Sequence, residues 1–485
     1  LKARPRRTVR DDAGPGALRT AVRSLVATLL LGGVALSFSC ACGSTTPAPE
    51  ADGGVPADGG RRDGGFLDLD SDSGPKPDAG DPAPDGWATF DGIPNCPLTY
   101  PVRADAFPPP IKWVDCPSSL NLPGACKRIA LDFERPTQSN TILLPQGAAA
   151  RSDGSIDLTF QVFGESGFDW RAVDGSGATR TLLKSPRRGC GPGTGHGPAD
   201  GRYALHGYSD SSRATGVAIV GKIGEPPRVA KSYTTQPSIF AFRQGIGEYK
   251  GGLRLLDWET SAETTLVPGS SPAFTDLNQI QEVSQRLYGN AGKPFSVYEY
   301  SSGTPKKIVA AGRDVGEIGS FAASPERIFW TNIVPDADRL NYTENARYVQ
   351  ALAADGQLSG VRMKLPSVEK QGYSPSAKMG CDILVRAYLD PRPAGDTLGY
   401  STTGGLEVFN FTTLKHWRLP LPSADPDSAK VFGLNEIHVV TCTEAVASVN
   451  HYDPLSPVIQ QNFARFDLSK LGPGEPFAMT PDPVP

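Results

Sequence analysis

Residues 298–309 read YEYSSGTPKKIV, and this stretch decides the fold. Tyr298 and Tyr300 alternate with polar Glu299, Ser301-Ser302-Gly303 supplies a turn, and Lys306-Lys307-Ile308-Val309 begins a second apolar strand with basic residues at its head. Period-two alternation on either side of turn residues predicts a β-hairpin. The same arrangement recurs at AVDGSGATRTLL (172–183), IVGKIGEPPRVA (219–230), LDWETSAETTLV (256–267), ALAADGQLSGVRMKL (351–365), VFNFTTLKHWRL (408–419) and RFDLSKLGPGEPF (465–477). Successive turn centres lie 38 to 58 residues apart, with a mean of about 49. A four-stranded propeller blade takes roughly 40–50 residues. One antiparallel blade cannot bury both of its faces, whereas blades stacked radially bury them against each other. The expectation is an all-β chain forming a β-propeller of seven blades, with six or eight as alternatives. A pair of β-sandwiches is the rival; it needs turns every 8–12 residues or so and gives no such period.

Outward from these hairpins the pattern persists. Ile156, Leu158, Phe160 and Val162 alternate with polar partners, and 54 Gly and 45 Pro punctuate the chain with turns. Phe329-Trp330-Thr331-Asn332 resembles the YWTD-type strand of extracellular propellers, with Phe in place of Tyr and Asn in place of Asp. The hairpin period is similar to that of TolB-like periplasmic propellers. These resemblances imply an extracytoplasmic propeller and say nothing of its ligand. The propeller is assigned to residues 146–485. Residues 87–145 are less regular and read as a Cys-containing N-terminal cap that supplies a closing strand.

Before the cap, Ser44 to Gly86 contains 9 Asp, 9 Gly and 7 Pro, and its ten acids against three bases give about −7. Such a segment has too little apolar surface to offset its ordering entropy. Residues 43–86 are therefore expected to be a disordered linker, spanning roughly 35–40 Å as a coil. Its alternating Asp68, Asp70 and Asp72 superficially match a calcium loop, but Gly74 comes one position late and Ala79 stands where a bidentate Glu belongs. A solvated acidic linker is the reading.

Residues 1–42 read as a lipoprotein signal peptide with its lipidation site. Seven Lys and Arg residues between Lys2 and Arg23 precede a fifteen-residue apolar run, Ser24 to Phe38. That run suits a signal-peptide core better than a membrane span of about 20 residues. The sequence that follows, Ser37-Phe38-Ser39-Cys40-Ala41-Cys42-Gly43-Ser44, resembles the lipobox of bacterial lipoproteins. The resemblance implies a lipid (palmitate-containing) on Cys42, with Cys40 the alternative. Gly43 and Ser44, in place of Asp, resemble lipoproteins sorted to the outer membrane. The chain is thus expected in the cell envelope, lipid-anchored to the outer membrane, on its periplasmic or surface-exposed side.

Six further cysteines follow: Cys96, Cys116, Cys126, Cys190, Cys381 and Cys442. An even number suits an oxidising compartment, and lipidation of Cys42 leaves no odd thiol. All six are disulfide candidates. Cys381–Cys442 is the one specific pairing expected, because each lies on an early strand of adjacent blades. The cap cysteines are expected to be stapled, with Cys190 a further partner.

Signatures of catalysis are missing from the sequence. It contains no G-x-S-x-G, H-E-x-x-H or G-x-x-x-x-G-K-[ST] motif, and its five histidines (His196, His206, His416, His438, His451) form no close-spaced metal pair. The Gly-rich run 187–197, RRGCGPGTGHG, has glycines that let backbone N–H groups approach an anion. It neither follows a clear strand nor opens a helix, so a disulfide-pinned surface loop between blades is favoured. The acidic pairs Glu165/Asp169 and Asp336/Asp338 are read as turn chemistry. No cofactor or metal is called for. With 48 basic and 52 acidic residues and no basic stripe, a nucleic-acid partner is not expected. The leading functional expectation is a binding or scaffold module, with an envelope protein or polysaccharide as partner. An extracytoplasmic hydrolase or lyase acting on polysaccharide or peptide, and a structural envelope component, are the alternatives.

Overall fold

The computed structural model describes residues 83–93, 96–122, 124–130, 142–164, 167–185, 191–192, 197–208, 216–234, 237–277, 279–300, 304–310, 317–335, 342–366, 374, 376–389, 404–421, 432–453 and 456–482. The expected lipidation site at Cys42 or Cys40, nearly all of the linker, Cys190, His196, Glu165, Asp336 and Asp338 lie outside them.

The strands form seven antiparallel sheets. Each is a blade whose four strands, a to d, run outward from the centre. Blade 4 is the plainest: Gln279–Val283, Arg286–Ala291, Ser296–Tyr300 and Lys306–Val309, each paired with the next. The apolar side chains fall into seven clusters, one at each blade junction. Strand b of blade 5, Arg327–Pro335, shows how alternation feeds two of them. Ile328 and Trp330 pack toward blade 4, and Phe329, between them in sequence, packs toward blade 6. The cluster that closes the ring joins Leu143, Leu158 and Phe160 of blade 1 to Val446 and Phe463 of blade 7, with Ile129 between. The chain is a seven-bladed β-propeller.

Ring closure explains where the sequence pattern misleads. Six of the seven expected hairpins are the c–d hairpins of blades 1 to 6. The seventh, at 465–477, is not a hairpin. Strand c of blade 7 (Ser456–Asp467) ends there in a short 3-10 turn, Leu468–Lys470. Its d strand comes from the other end of the chain: Cys126–Ile129 pairs with Ala464, Arg465 and Phe466. Asn462 Nδ2 donates to the Ile129 carbonyl at 2.9 Å. This clasp is itself flanked by Trp113–Asp115 and stapled by the Cys116–Cys126 disulfide, with Cα atoms 5.4 Å apart.

The N-terminal segment is thus built into the ring. Its first hairpin, Trp87–Phe90 with Leu98–Pro101, extends blade 1 beyond its d strand, Thr179–Ser185. Strand a of blade 1 begins at Ile142. After blade 7 the chain runs back along outer edges: Glu475–Pro476 pairs with blade 6 and Thr480–Pro481 with blade 5.

Of the Gly-rich run, only Gly191, Pro192 and Gly197 lie among the described residues. Gly191–Pro192, and Pro198–Ala199 just after the run, both pair with strand b of blade 2. A Cβ built on Gly147 of blade 1 would sit 2.4 Å from the Cα of Gly197, so the two backbones meet where only glycine fits.

Candidate functional site

The a–b and c–d turns all lie at one end of the ring, because consecutive strands alternate direction. At this end the blades are tied together in turn. Asp157 of blade 1 takes Arg151 Nη2 at 2.7 Å and the Gly201 N–H at 2.8 Å. Arg202 reaches Glu259 at 3.1 Å between blades 2 and 3. Glu282 of blade 4 accepts from the backbone N–H groups of Arg243 and Gln244, at 2.6 and 3.2 Å; burial nevertheless pushes its carboxyl above the usual range. Arg286 donates to the Ala354 and Asp355 carbonyls at 2.9 and 2.6 Å, and Arg327 bonds Asp382 at 2.9 Å. Between blades 6 and 7 the tie is covalent, Cys381–Cys442, with Cα atoms 5.3 Å apart. Gly380 makes room for it: a Cβ there would lie 2.0 Å from the Val440 carbonyl oxygen.

At the seventh junction, between blades 7 and 1, the place is taken by a cleft. The N-terminal segment passes here, and its Ile111 N–H donates to Thr179 Oγ1 at 3.0 Å. Two adjoining cavities of about 120 and 460 Å³ share Trp113, Glu444 and Arg465 as a common wall. Ile156, Leu158 and Val173 line the smaller cavity, with Asp174 and Ser155 beside them; Lys127, Asp467 and Lys470 line the larger. Trp113 is half-buried and lies under the Arg465 guanidinium, 5.0 Å from its ring centre. Arg465 is held by Glu444 through a two-point contact, Nε to Oε1 and Nη2 to Oε2, the latter at 2.7 Å. That hydrogen bond outweighs burial and raises the arginine's pKa further. Lys470 pairs with Asp467 at 2.7 Å and holds its carboxyl below the ordinary range, with Ser469 adding hydrogen bonds. The half-buried ring capped by a paired guanidinium, with apolar side chains on one side and paired charges on the other, gives the cleft the mixed lining of a small-ligand site.

Two other polar regions stand out. Between blades 5 and 6, Arg386 gives Glu344 two hydrogen bonds, at 2.9 and 2.5 Å. Arg347 bonds both Glu344 and Glu407, the latter at 3.1 Å, and His416 meets Glu407 at 3.2 Å. Glu344, Arg347, Arg386 and Glu407 are all buried. Burial opposes ionisation of Glu407, but the His416 hydrogen bond with Arg347 and Arg386 overrides it and lowers the carboxyl to about 2. In the innermost strand of blade 6, Lys378 is driven toward its neutral form by burial, against the pull of Glu436 from blade 7.

The d strands of five blades carry a third pattern. Arg180 lies over Phe107 at 4.2 Å, Lys231 over Tyr233 at 5.2 Å, Lys307 over Tyr298 at 5.5 Å, Arg362 over Tyr348 at 4.6 Å and Arg418 over Tyr388 at 4.0 Å. Each cation belongs to a d strand and covers an aromatic face that the blade stack leaves at its margin.

Of the residues singled out in sequence, Asp169 is placed on blade 1 against Arg171 at 2.6 Å, and burial raises its carboxyl. Cys96 is buried and disulfide-bonded. His206, His416 and His438 sit on blades 2, 6 and 7 and are not brought together. Among the described residues no group of three or more His, Cys, Asp or Glu is placed to hold a metal ion. Trp113, Glu444 and Arg465 carry no local signal in the sequence, because their proximity depends on ring closure across more than 300 residues.

No family model matches the chain, and no curated protein matches it. Among solved structures, the propeller domain of the Trilobed protease from Pyrococcus furiosus aligns at 8% identity and TM-score 0.39, over 69% of this chain and 98% of that one. Oligogalacturonate lyase from Vibrio parahaemolyticus aligns at 9% identity and TM-score 0.39, over 78% and 96%. A putative TolB from Agrobacterium tumefaciens aligns at 11% identity and TM-score 0.29, over 49% and 84%.

Proposed function

We propose that this chain is a lipid-anchored protein of the bacterial cell envelope whose propeller is a binding module, with the cleft between blades 7 and 1 as its ligand site. The observation that carries the reading is the cleft itself: Trp113 and the Arg465–Glu444 pair form a shared wall at the one junction where the N-terminal clasp enters. Arg465–Glu444 and Lys470–Asp467 are locked in pairs, which suits holding a ligand in register. The lipobox-like Cys42 and the acidic linker support attachment to the outer membrane, and an envelope polysaccharide or protein is the partner.

Two measurements test the two halves. Cys42→Ala should abolish palmitate labelling and release the protein from the membrane fraction; labelling that persists moves the acceptor to Cys40 or removes the anchor from the reading. Full-length protein in detergent should be retained on immobilised envelope polysaccharide or captured by crosslinking to one envelope protein, and Trp113→Ala should lose that retention while remaining folded, with a lowered melting temperature because the ring packs on the blade 7–1 cluster. Equal retention by Trp113→Ala refutes the cleft as the site.

A further inference from the structure

The outer edge of a blade's d strand presents unpaired N–H and C=O groups unless something covers it. The chain covers four of these edges itself. Leu98–Pro101 lies outside blade 1, Trp113–Asp115 outside blade 7, Glu475–Pro476 outside blade 6 and Thr480–Pro481 outside blade 5. Blades 2, 3 and 4 carry no further strand among the described residues, and their edges are not equivalent. On blade 2, Arg228 donates to Ser261 and to the Trp258 carbonyl, and Lys231 pairs with Glu248 and Glu263, so blade 3 takes both cations. Blade 3's edge holds Glu263 and ends in Pro268, which has no N–H to offer. On blade 4, Lys306 and Lys307 are exposed. Lys306 stands opposite Glu299, but Arg286 holds that carboxylate at 2.6 Å. Lys307 lies over the Tyr298 ring, and neither lysine has a carboxylate partner among the described residues.

The C-terminal segment shows what such an edge accepts. At blade 6, Glu475 and Pro476 stand opposite His416 and Lys415, and the Phe477 N–H donates to the Leu414 carbonyl at 3.1 Å. Phe477 then packs on Phe409 and Phe411. At blade 5, Thr480 and Pro481 stand opposite Lys364 and Met363. The Asp482 N–H donates to the Arg362 carbonyl at 2.9 Å, and its carboxylate meets the Arg362 guanidinium at 2.7 Å. An extended acidic segment thus sits on two neighbouring basic edges, and blade 4 is the next edge in line. We infer that the outer edge of blade 4, Lys306–Val309, takes an extended acidic peptide of a partner protein as a fifth strand. Backbone pairing selects a polypeptide: a polysaccharide, nucleic acid or lipid headgroup can meet the lysines but has no amides at strand spacing to fill the edge. Charge selects among peptides, because lysines on an edge repel a second copy of that edge and an acidic strand reverses the sign. This surface is separate from the cleft and goes beyond it.

The probe is a labelled synthetic peptide with the sequence of residues 474–482, GEPFAMTPD, titrated against the full-length protein in detergent by fluorescence anisotropy. Amide hydrogen exchange of the complex maps where it sits. The expected result is saturable binding with new protection at Lys306–Val309. The same peptide N-methylated on its Phe, Ala and Met should not bind, because it cannot pair with the edge. Lys306→Glu with Lys307→Glu should weaken binding about tenfold, and Lys306→Arg with Lys307→Arg should bind as the wild type does. No binding at about 1 mM peptide overturns the inference. So does undiminished binding of the N-methylated peptide, equal loss in the Arg variant, or protection confined to blades 5 and 6, where the peptide has exchanged with the chain's own segment. The Trp113→Ala experiment reads the cleft separately, so failure at this edge leaves that result standing.

Discussion

Replacing Arg386 by Met tests whether the charged cluster between blades 5 and 6 is as dry as its geometry implies. Arg386 is fully buried and gives two charge-assisted hydrogen bonds to Glu344, with Glu407 a further 3.5 Å contact. The four buried charges balance: two guanidinium groups against two carboxylates. Methionine keeps much of the side-chain volume and the contact near the Phe329 ring, so the loss is electrostatic. It strands one uncompensated carboxylate in a dry interface, which costs about 3–5 kcal/mol. Adding Glu344→Gln restores neutrality, and the double variant should recover on the order of half of that loss. Urea unfolding followed by tryptophan fluorescence reads both values, provided the transition is reversible; otherwise unfolding rates at fixed temperature serve. A cost below about 1 kcal/mol for Arg386→Met, typical of exposed pairs, would refute the buried-cluster reasoning. So would a double variant no more stable than the single one.

Three further outcomes rest on the same packing and electrostatics. Glu407 is depressed in the folded state to about 2, so its contribution of about 3 kcal/mol is complete above its unfolded value near 4.3 and is lost as pH falls from there toward 2; Glu407→Gln should flatten that part of the stability–pH curve. Cys381→Ser with Cys442→Ser opens a loop spanning 61 residues and should cost on the order of 4 kcal/mol, read by denaturation against the wild type with and without reductant. Phe329→Ala should cost about 3–5 kcal/mol, because the ring is fully buried between blades, whereas Val361→Ala, 58% exposed, should fall within about 0.5 kcal/mol of wild type in the same thermal assay.

What the sequence reveals of this fold is what is local. The c–d hairpins announce themselves because turn residues and alternating strands sit within a dozen positions. Basic residues of the second strands also have a structural reason where they meet a ring: Lys307 covers Tyr298 and Arg418 covers Tyr388. The pattern fails where pairing is long-range. Phe466 follows the same alternation as its counterparts, yet its partner strand begins at Cys126, and no local signal marks that distance. The cleft is hidden for the same reason, since Trp113 and Arg465 meet only when the ring closes. The Arg386–Glu344 cluster is equally silent, because charged residues on strands read as surface until a neighbouring blade covers them.

The order of the N-terminal strands gives the molecule a sequence of mechanical failure. A load drawn on the chain from its N-terminal side first meets the hairpin Trp87–Phe90/Leu98–Pro101, which registers with blade 1 through Thr99 opposite Lys184. Only Trp87–Phe90 is free to peel, because Cys96 in the loop that follows it is disulfide-bonded and takes the load covalently before Leu98–Pro101 is reached. Further along, the second staple, Cys116–Cys126, bridges the loop that leads into the clasp strand. One short strand can therefore be lost while covalent links shield the ring closure behind it.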